Sequence, residues 1–92
     1  MTDDEILTAL RAKRAQLTAV ELAELLGTLT GGLTQRKLVM YFQRAFLDIP
    51  LRVFLEAARW GRVSDGELTD EELNEYLRPW LKKTAEAEQK AG

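Results

Sequence analysis

SDGELTDEEL, residues 64–73, holds a turn and a helix start within ten positions. Asp65 and Gly66 suit a turn. Thr69, with Glu72 three residues on, forms a capping box: the threonine hydroxyl accepts from the backbone N–H three residues ahead, and the glutamate reaches back to the threonine N–H. Leu68 precedes the cap at a hydrophobic-staple position, and Asp70, Glu71 and Glu72 put negative charge at the positive end of a helix. Downstream, Leu73, Tyr76, Leu77, Trp80 and Leu81 recur at helical spacing. The stretch therefore predicts a loop and then a fifth helix, which Pro79 kinks or restarts. The polar residues 84–92 lack core-forming side chains and are expected to fray beyond a single domain spanning 1–83.

The same pattern stands 35 residues upstream. When TGGLTQRKLVMYF, from Thr30, is laid on DGELTDEELNEYL, from Asp65, Leu33 falls on Leu68, Thr34 on Thr69, Leu38 on Leu73, Tyr41 on Tyr76 and Phe42 on Leu77. A repeat of this period implies two stacked helix-loop-helix units, about 17–47 and 50–81, that bury each other's apolar faces. The remaining helix signals fit that scheme. Thr2 with Glu5 opens a first helix over about 3–14. Thr18 with Glu21 opens a second that reaches Gly27, and Thr34 caps a third that ends near Leu47. Asp48-Ile49-Pro50 restarts the chain into a fourth over about 50–60, with Asp48 as the cap and Pro50 in the first turn. No strand pattern competes, so the expected fold is all-α: one small domain of five helices.

The repeated unit resembles an EF-hand, the family of paired helix-loop-helix calcium modules, over about residues 17–81. The resemblance implies a twelve-residue loop with oxygen ligands at alternate places, a glycine at the sixth and a bidentate glutamate at the twelfth. Counting from Gly61, Asp65 takes the fifth place, Gly66 the sixth, Thr69 the ninth and Glu72 the twelfth. The first and third places are Gly61 and Val63, which offer no side-chain oxygen. Counting the upstream loop from Leu26, the twelfth place is Lys37, a positive charge where the bidentate ligand belongs. The implication is a degenerate, metal-less pair, in which Asp65, Thr69 and Glu72 would hold calcium only weakly, and no other cofactor is called for.

Composition narrows the function classes. The 92 residues are 46% hydrophobic and 30% charged with a net charge of −2, the make-up of an ordinary small globular domain. There is no cysteine and no histidine, so thiolate and imidazole metal sites and the usual nucleophile–base pairs cannot be assembled, and the one serine is Ser64. A non-enzyme is expected, with no small-molecule substrate. The acid-first N-terminus is opposite to a secretory signal, and no apolar run is long enough to span a membrane, so a cytoplasmic protein is expected.

The charges are unevenly spread. Arg36, Lys37, Arg44, Arg52, Arg59 and Arg62 dominate residues 36–62, whereas Asp65, Glu67, Asp70, Glu71, Glu72 and Glu75 follow with no base among them. Such a dipole orients partners or pairs one copy with the next. The fourth helix is apolar nearly all round, which marks it as central or partner-facing. These readings converge on a protein-interaction or adaptor module that binds a protein partner or itself through the third and fourth helices, with Arg44, Leu51, Arg52, Phe54, Arg59 and Trp60 as contact residues. Two alternatives accompany it. One is a weak calcium sensor. The other is a helix-turn-helix-like DNA-binding regulator presenting Gln35, Arg36, Lys37, Gln43 and Arg44, although the low isoelectric point makes nucleic acid an unfavoured partner.

Overall fold

The computed structural model describes the backbone of residues 2–91 and the side chains of residues 2–82. Five helices follow one another: α1 (Asp3–Lys13), α2 (Ala19–Thr30), α3 (Gln35–Ala45), α4 (Leu51–Ala57) and α5 (Asp70–Ala91). Among the described residues there is no strand, only an isolated bridge between Trp60 and Leu68. Among the described residues, no helix is long and apolar enough to cross a membrane.

Local chemistry sets the helix starts. Thr2, Thr18 and Thr34 each adopt an extended backbone, and their side chains accept from the N–H three residues on. Thr69 does the same for Glu72, whose carboxylate accepts the Thr69 N–H, so the box read from SDGELTDEEL is formed. Helix ends follow the sequence less closely. α2 does not stop at Gly27 but runs to Thr30 and is closed by Gly31 at φ 78°, a left-handed conformation that glycine adopts without a Cβ penalty. Gly27 instead makes room for packing. A Cβ there would lie 3.3 Å from Leu33 Cβ, so its absence lets the returning chain close on the helix. α3 ends at Ala45 rather than Leu47, and α4 covers Leu51–Ala57 rather than 50–60. Pro50 is the N-cap of α4 without a side-chain cap bond. Asp48, the cap expected from sequence, gives its carboxylate to the Arg14 guanidinium instead. α5 continues through Pro79, whose missing N–H leaves the Glu75 carbonyl without its helical donor. The backbone is helical through Ala91, across the 84–92 stretch expected to fray, whose side chains and Gly92 lie outside the described residues.

The helices close a ring of contacts: α1 packs on α2 and α3, α2 on α5, α3 on α4, and α4 on α5. Phe42 sits at the centre, its ring 5.5 Å from Phe46 and 5.9 Å from Phe54 in edge-on geometry. Leu10, Leu22, Leu26, Leu38, Val53, Trp60, Leu73 and Leu77 are sealed around it. Burying each such side chain is worth roughly 1.5–3 kcal/mol. No charged or polar residue is buried among those described, and no buried side-chain polar atom lacks a partner. The radius of gyration, 12.6 Å, is that of a compact chain of this length.

The 35-residue register pairs like burial in the second helix of each expected unit. Leu38 and Leu73 are buried at equivalent places, as are Phe42 and Leu77. It does not hold in the joints. α2 meets α3 through the few residues 31–34, whereas α4 meets α5 through residues 58–69. Residues 26–30, the first five places of the expected twelve-residue loop, belong to α2.

Candidate functional site

The 58–69 joint is closed by its own backbone. Leu68 N–H donates to the Arg59 carbonyl, Gly61 N–H donates to the Leu68 carbonyl at 3.0 Å, and Val63 and Ser64 N–H donate to the Trp60 carbonyl. Ser64 Oγ donates to the Trp60 carbonyl and accepts from Gly66 N–H. Gly66 lies so close to Arg59 that a Cβ would overlap the Arg59 carbonyl, and its φ is not positive. Close approach, not an unusual φ, is what requires glycine here. At the far end the Trp60 indole N–H donates to Asp70 Oδ1 at 2.7 Å, and the Arg62 guanidinium lies 4.9 Å above the Trp60 ring.

This closure leaves little for a metal. Thr69 Oγ1 and Glu72 Oε1 are engaged in the capping box, and Asp65 is exposed in the turn. Among the described residues no cluster of three carboxylates could hold an ion. In the first joint Lys37 Nζ donates to the carbonyls of Thr30 and Gly32, at 3.2 and 3.0 Å. A tethered ammonium thus satisfies carbonyl oxygens that a bound cation would otherwise draw on. That engagement also withdraws Lys37 from the set of cations a DNA-reading α3 would present.

The six expected contact residues divide. Phe54 and Trp60 are fully buried and are removed from the surface set: Phe54 faces the core from α4, as Val53 and Ala57 do, and Trp60 faces it from the joint that follows. Leu51 is exposed, and Leu55 and Leu47, not singled out from sequence, are more so, at 56% and 79%. These three leucines are the exposed large apolar residues among those described. Arg52 reaches α5, its guanidinium 6.0 Å from the Trp80 ring centroid. Arg59 pairs with Glu56 at 2.9 Å on the same exposed turn. Arg44 stands at the end of α3, 3.9 Å from the Asp3 carboxylate.

Two shallow grooves flank α4. The one toward α3 is lined by Gln35, Arg36, Val39, Met40, Gln43, Arg44 and Ala58, with an apolar floor and no carboxylate. Gln35 closes its end by donating Nε2–H to the Ala58 carbonyl at 3.0 Å. The one toward α5 is lined by Glu56, Glu67, Glu72 and Glu75 with Arg59, Leu68 and Tyr76. A third recess, of about 150 Å³, lies between the α1–α2 turn and α5 and includes Arg14, Arg78, Lys82 and Asn74. Its polar groups are already engaged in part: Asn74 Oδ1 accepts the Val20 N–H at the start of α2, and Arg14 is fully committed to holding the fold.

One titratable group stands out. The Tyr41 hydroxyl donates to the Asp3 carboxylate at 2.8 Å, and that bond, with burial and the Asp3 charge added to it, raises the tyrosine pKa above its ordinary value while Arg44 opposes. The contact fastens α3 to the start of α1 beside Arg44. No constellation of nucleophile, base and electrophilic donor accompanies it among the described residues. Comparisons of the chain with protein-family models, with curated proteins and with solved structures found no match.

Proposed function

We propose that the protein is a non-catalytic interaction module, a cytoplasmic adaptor that docks a protein surface on the exposed face of α3 and α4. The observation that carries the reading is the crest of α4. Leu51 and Leu55 on the helix, and Leu47 in the connection before it, stay in water in a domain that seals its other described large aliphatic and aromatic side chains fully or partly. Exposed leucines at successive turns, rimmed by arginine, are the composition of a recognition patch rather than of an idle surface. The α3 groove beside them, with Val39 and Met40 as its floor, extends the apolar area. Met40 adds an adaptable contact. The contact set supported by exposure is Arg44, Leu51, Arg52 and Arg59, joined by Leu47, Leu55 and Met40.

The same proposal takes α2–α3 and α4–α5 as an EF-hand-like pair that works without calcium. Its support is the matched threonine caps and the matched burial of Leu38 with Leu73 and of Phe42 with Leu77. The test of the docking face is a photo-crosslinking residue placed at Leu51 or Leu55 in the native cell, with one at the exposed Thr8 of α1 as the reference. Discrete adducts from α4 and none from Thr8 are expected. The same adducts from both positions, or none from α4, would overturn the reading.

A further inference from the structure

Three surface features meet on α4, and each is unbalanced in isolation. The leucine crest is apolar and exposed. Successive helical residues turn by about 100°, so Ala58 lies on one side of Leu51 and Leu55, and Arg52 and Glu56 lie on the other. The Ala58 side is the α3 groove, whose lining holds Arg36 and Arg44 and no carboxylate, with Asp3 outside it 3.9 Å from Arg44. The Glu56 side is the α5 groove, where Glu56, Glu67, Glu72 and Glu75 outweigh Arg59 and the adjoining Arg52. We propose that the crest is covered by a second copy of the same chain, in an isologous dimer whose two-fold axis runs along α4. This rests on the reading of the α3–α4 face as a docking surface and names its occupant.

Symmetry and charge select that axis. An isologous interface sets one patch against itself, and its two-fold axis lies in the contact plane. An axis across α4 would lay cationic groove on cationic groove and acidic groove on acidic groove, which repels. An axis along α4 exchanges the flanks. Leu51 then meets its own counterpart, as does Leu55, while Arg36 and Arg44 of each copy face the acidic groove of the other. One contact thus covers the leucines and neutralises both flanks. Size points the same way. A stable interface takes on the order of 800 Å² per partner, roughly a seventh of the 5773 Å² here. Three leucines cannot supply that alone, so the flanks are part of the contact and their charges fix its register.

Sedimentation equilibrium from micromolar to millimolar concentration is the test, with far-UV circular dichroism to confirm that each variant folds. The wild type is expected to dimerise without forming larger species, and L51E/L55E to be monomeric. R36E/R44E and E67R/E75R, which leave the Glu72 capping box intact, are each expected to weaken the dimer by roughly tenfold or more. Mixed together, the two charge-reversed chains are expected to restore a one-to-one heterodimer, because each groove then faces an opposite one. A mixture that stays monomeric overturns the charge pairing, and R36E/R44E or E67R/E75R self-associating as tightly as wild type overturns the assigned axis, because an axis across α4 would only exchange one like-charge contact for another. Open-ended growth overturns the closed dimer. A wild type that is monomeric throughout overturns self-association. If α4 still crosslinks a different protein in the cell, the docking face itself stands; if it crosslinks nothing, both readings fall.

Discussion

Removing the Arg14 side chain should unfold this domain more readily than any other single change at a charged position. Its guanidinium sits where the end of α1, the α3–α4 connection and α5 converge, with only 14% of the side chain exposed. Nε donates to the Leu81 carbonyl at 2.9 Å and Nη2 to the Trp80 carbonyl at 2.7 Å. Nη1 and Nη2 take the two Asp48 oxygens at 2.7 and 2.8 Å. Its Cζ also lies over the Phe46 ring, 5.2 Å from the centroid. A bond from a charged donor contributes up to roughly 1.5–3 kcal/mol, and for this part-exposed fork each bond to a carbonyl contributes at or below the lower end, roughly 1–1.5 kcal/mol net. The Asp48 pair is discounted to about 1 kcal/mol because its carboxylate is half in water. The sum for Arg14→Ala is roughly 3–4 kcal/mol. A 92-residue domain has roughly 5–14 kcal/mol in total. At about 5 °C per kcal/mol for a chain of this length, the midpoint of thermal unfolding should fall by roughly 16–21 °C. Arg14→Lys keeps the charge but not the fork and should lose more than half as much. Urea unfolding followed by circular dichroism and tryptophan fluorescence measures both, with Arg59→Ala as the reference, since that exposed pair should cost under about 0.5 kcal/mol. An Arg14→Ala midpoint equal to that of Arg59→Ala would refute the reasoning.

Other outcomes follow from the same geometry. Gly66→Ala puts a methyl group into the Arg59 carbonyl and should cost roughly 2 kcal/mol or more, whereas Gly31→Ala, strained only by its positive φ, should cost about 1 kcal/mol; paired urea curves would show the order. The raised Tyr41 pKa means that the fold favours the protonated phenol. Its contribution is whole below the ordinary tyrosine pKa and is lost as pH rises through the folded value, so stability should fall on the alkaline side. Asp3→Asn should bring Tyr41 ionisation to lower pH in a phenolate absorbance titration; an unchanged curve would refute the assigned cause. Calcium at twice a millimolar Kd would add roughly 0.6 kcal/mol, and no such gain in the thermal midpoint is expected, with Thr69 and Glu72 engaged in the cap.

The helix starts and the all-α class were legible in the sequence because capping is local. A threonine followed three residues later by its partner carries its whole energetic reason within one turn, and Thr18, Thr34 and Thr69 behave accordingly. The core positions of α5 were legible for the related reason that one clean apolar stripe leaves a helix a single face to bury. The ends of α2 and α4 were not, because they depend on where the chain goes next: Gly27 serves the return at Leu33, and Asp48 is drawn from its cap to Arg14 by a contact across the fold. Nor could the sequence sort the residues of α4. A helix apolar on every side gives no hint which side meets water, and only the packing of Phe54 on Phe42 and of Trp60 over the 58–69 joint sends Leu51 and Leu55 outward. The opposed charge of the two grooves was visible as a run of bases and then a run of acids. That the two runs flank one leucine crest is a property of the tertiary structure alone, because it takes α3 and α5 packed on either side of α4 to put them there.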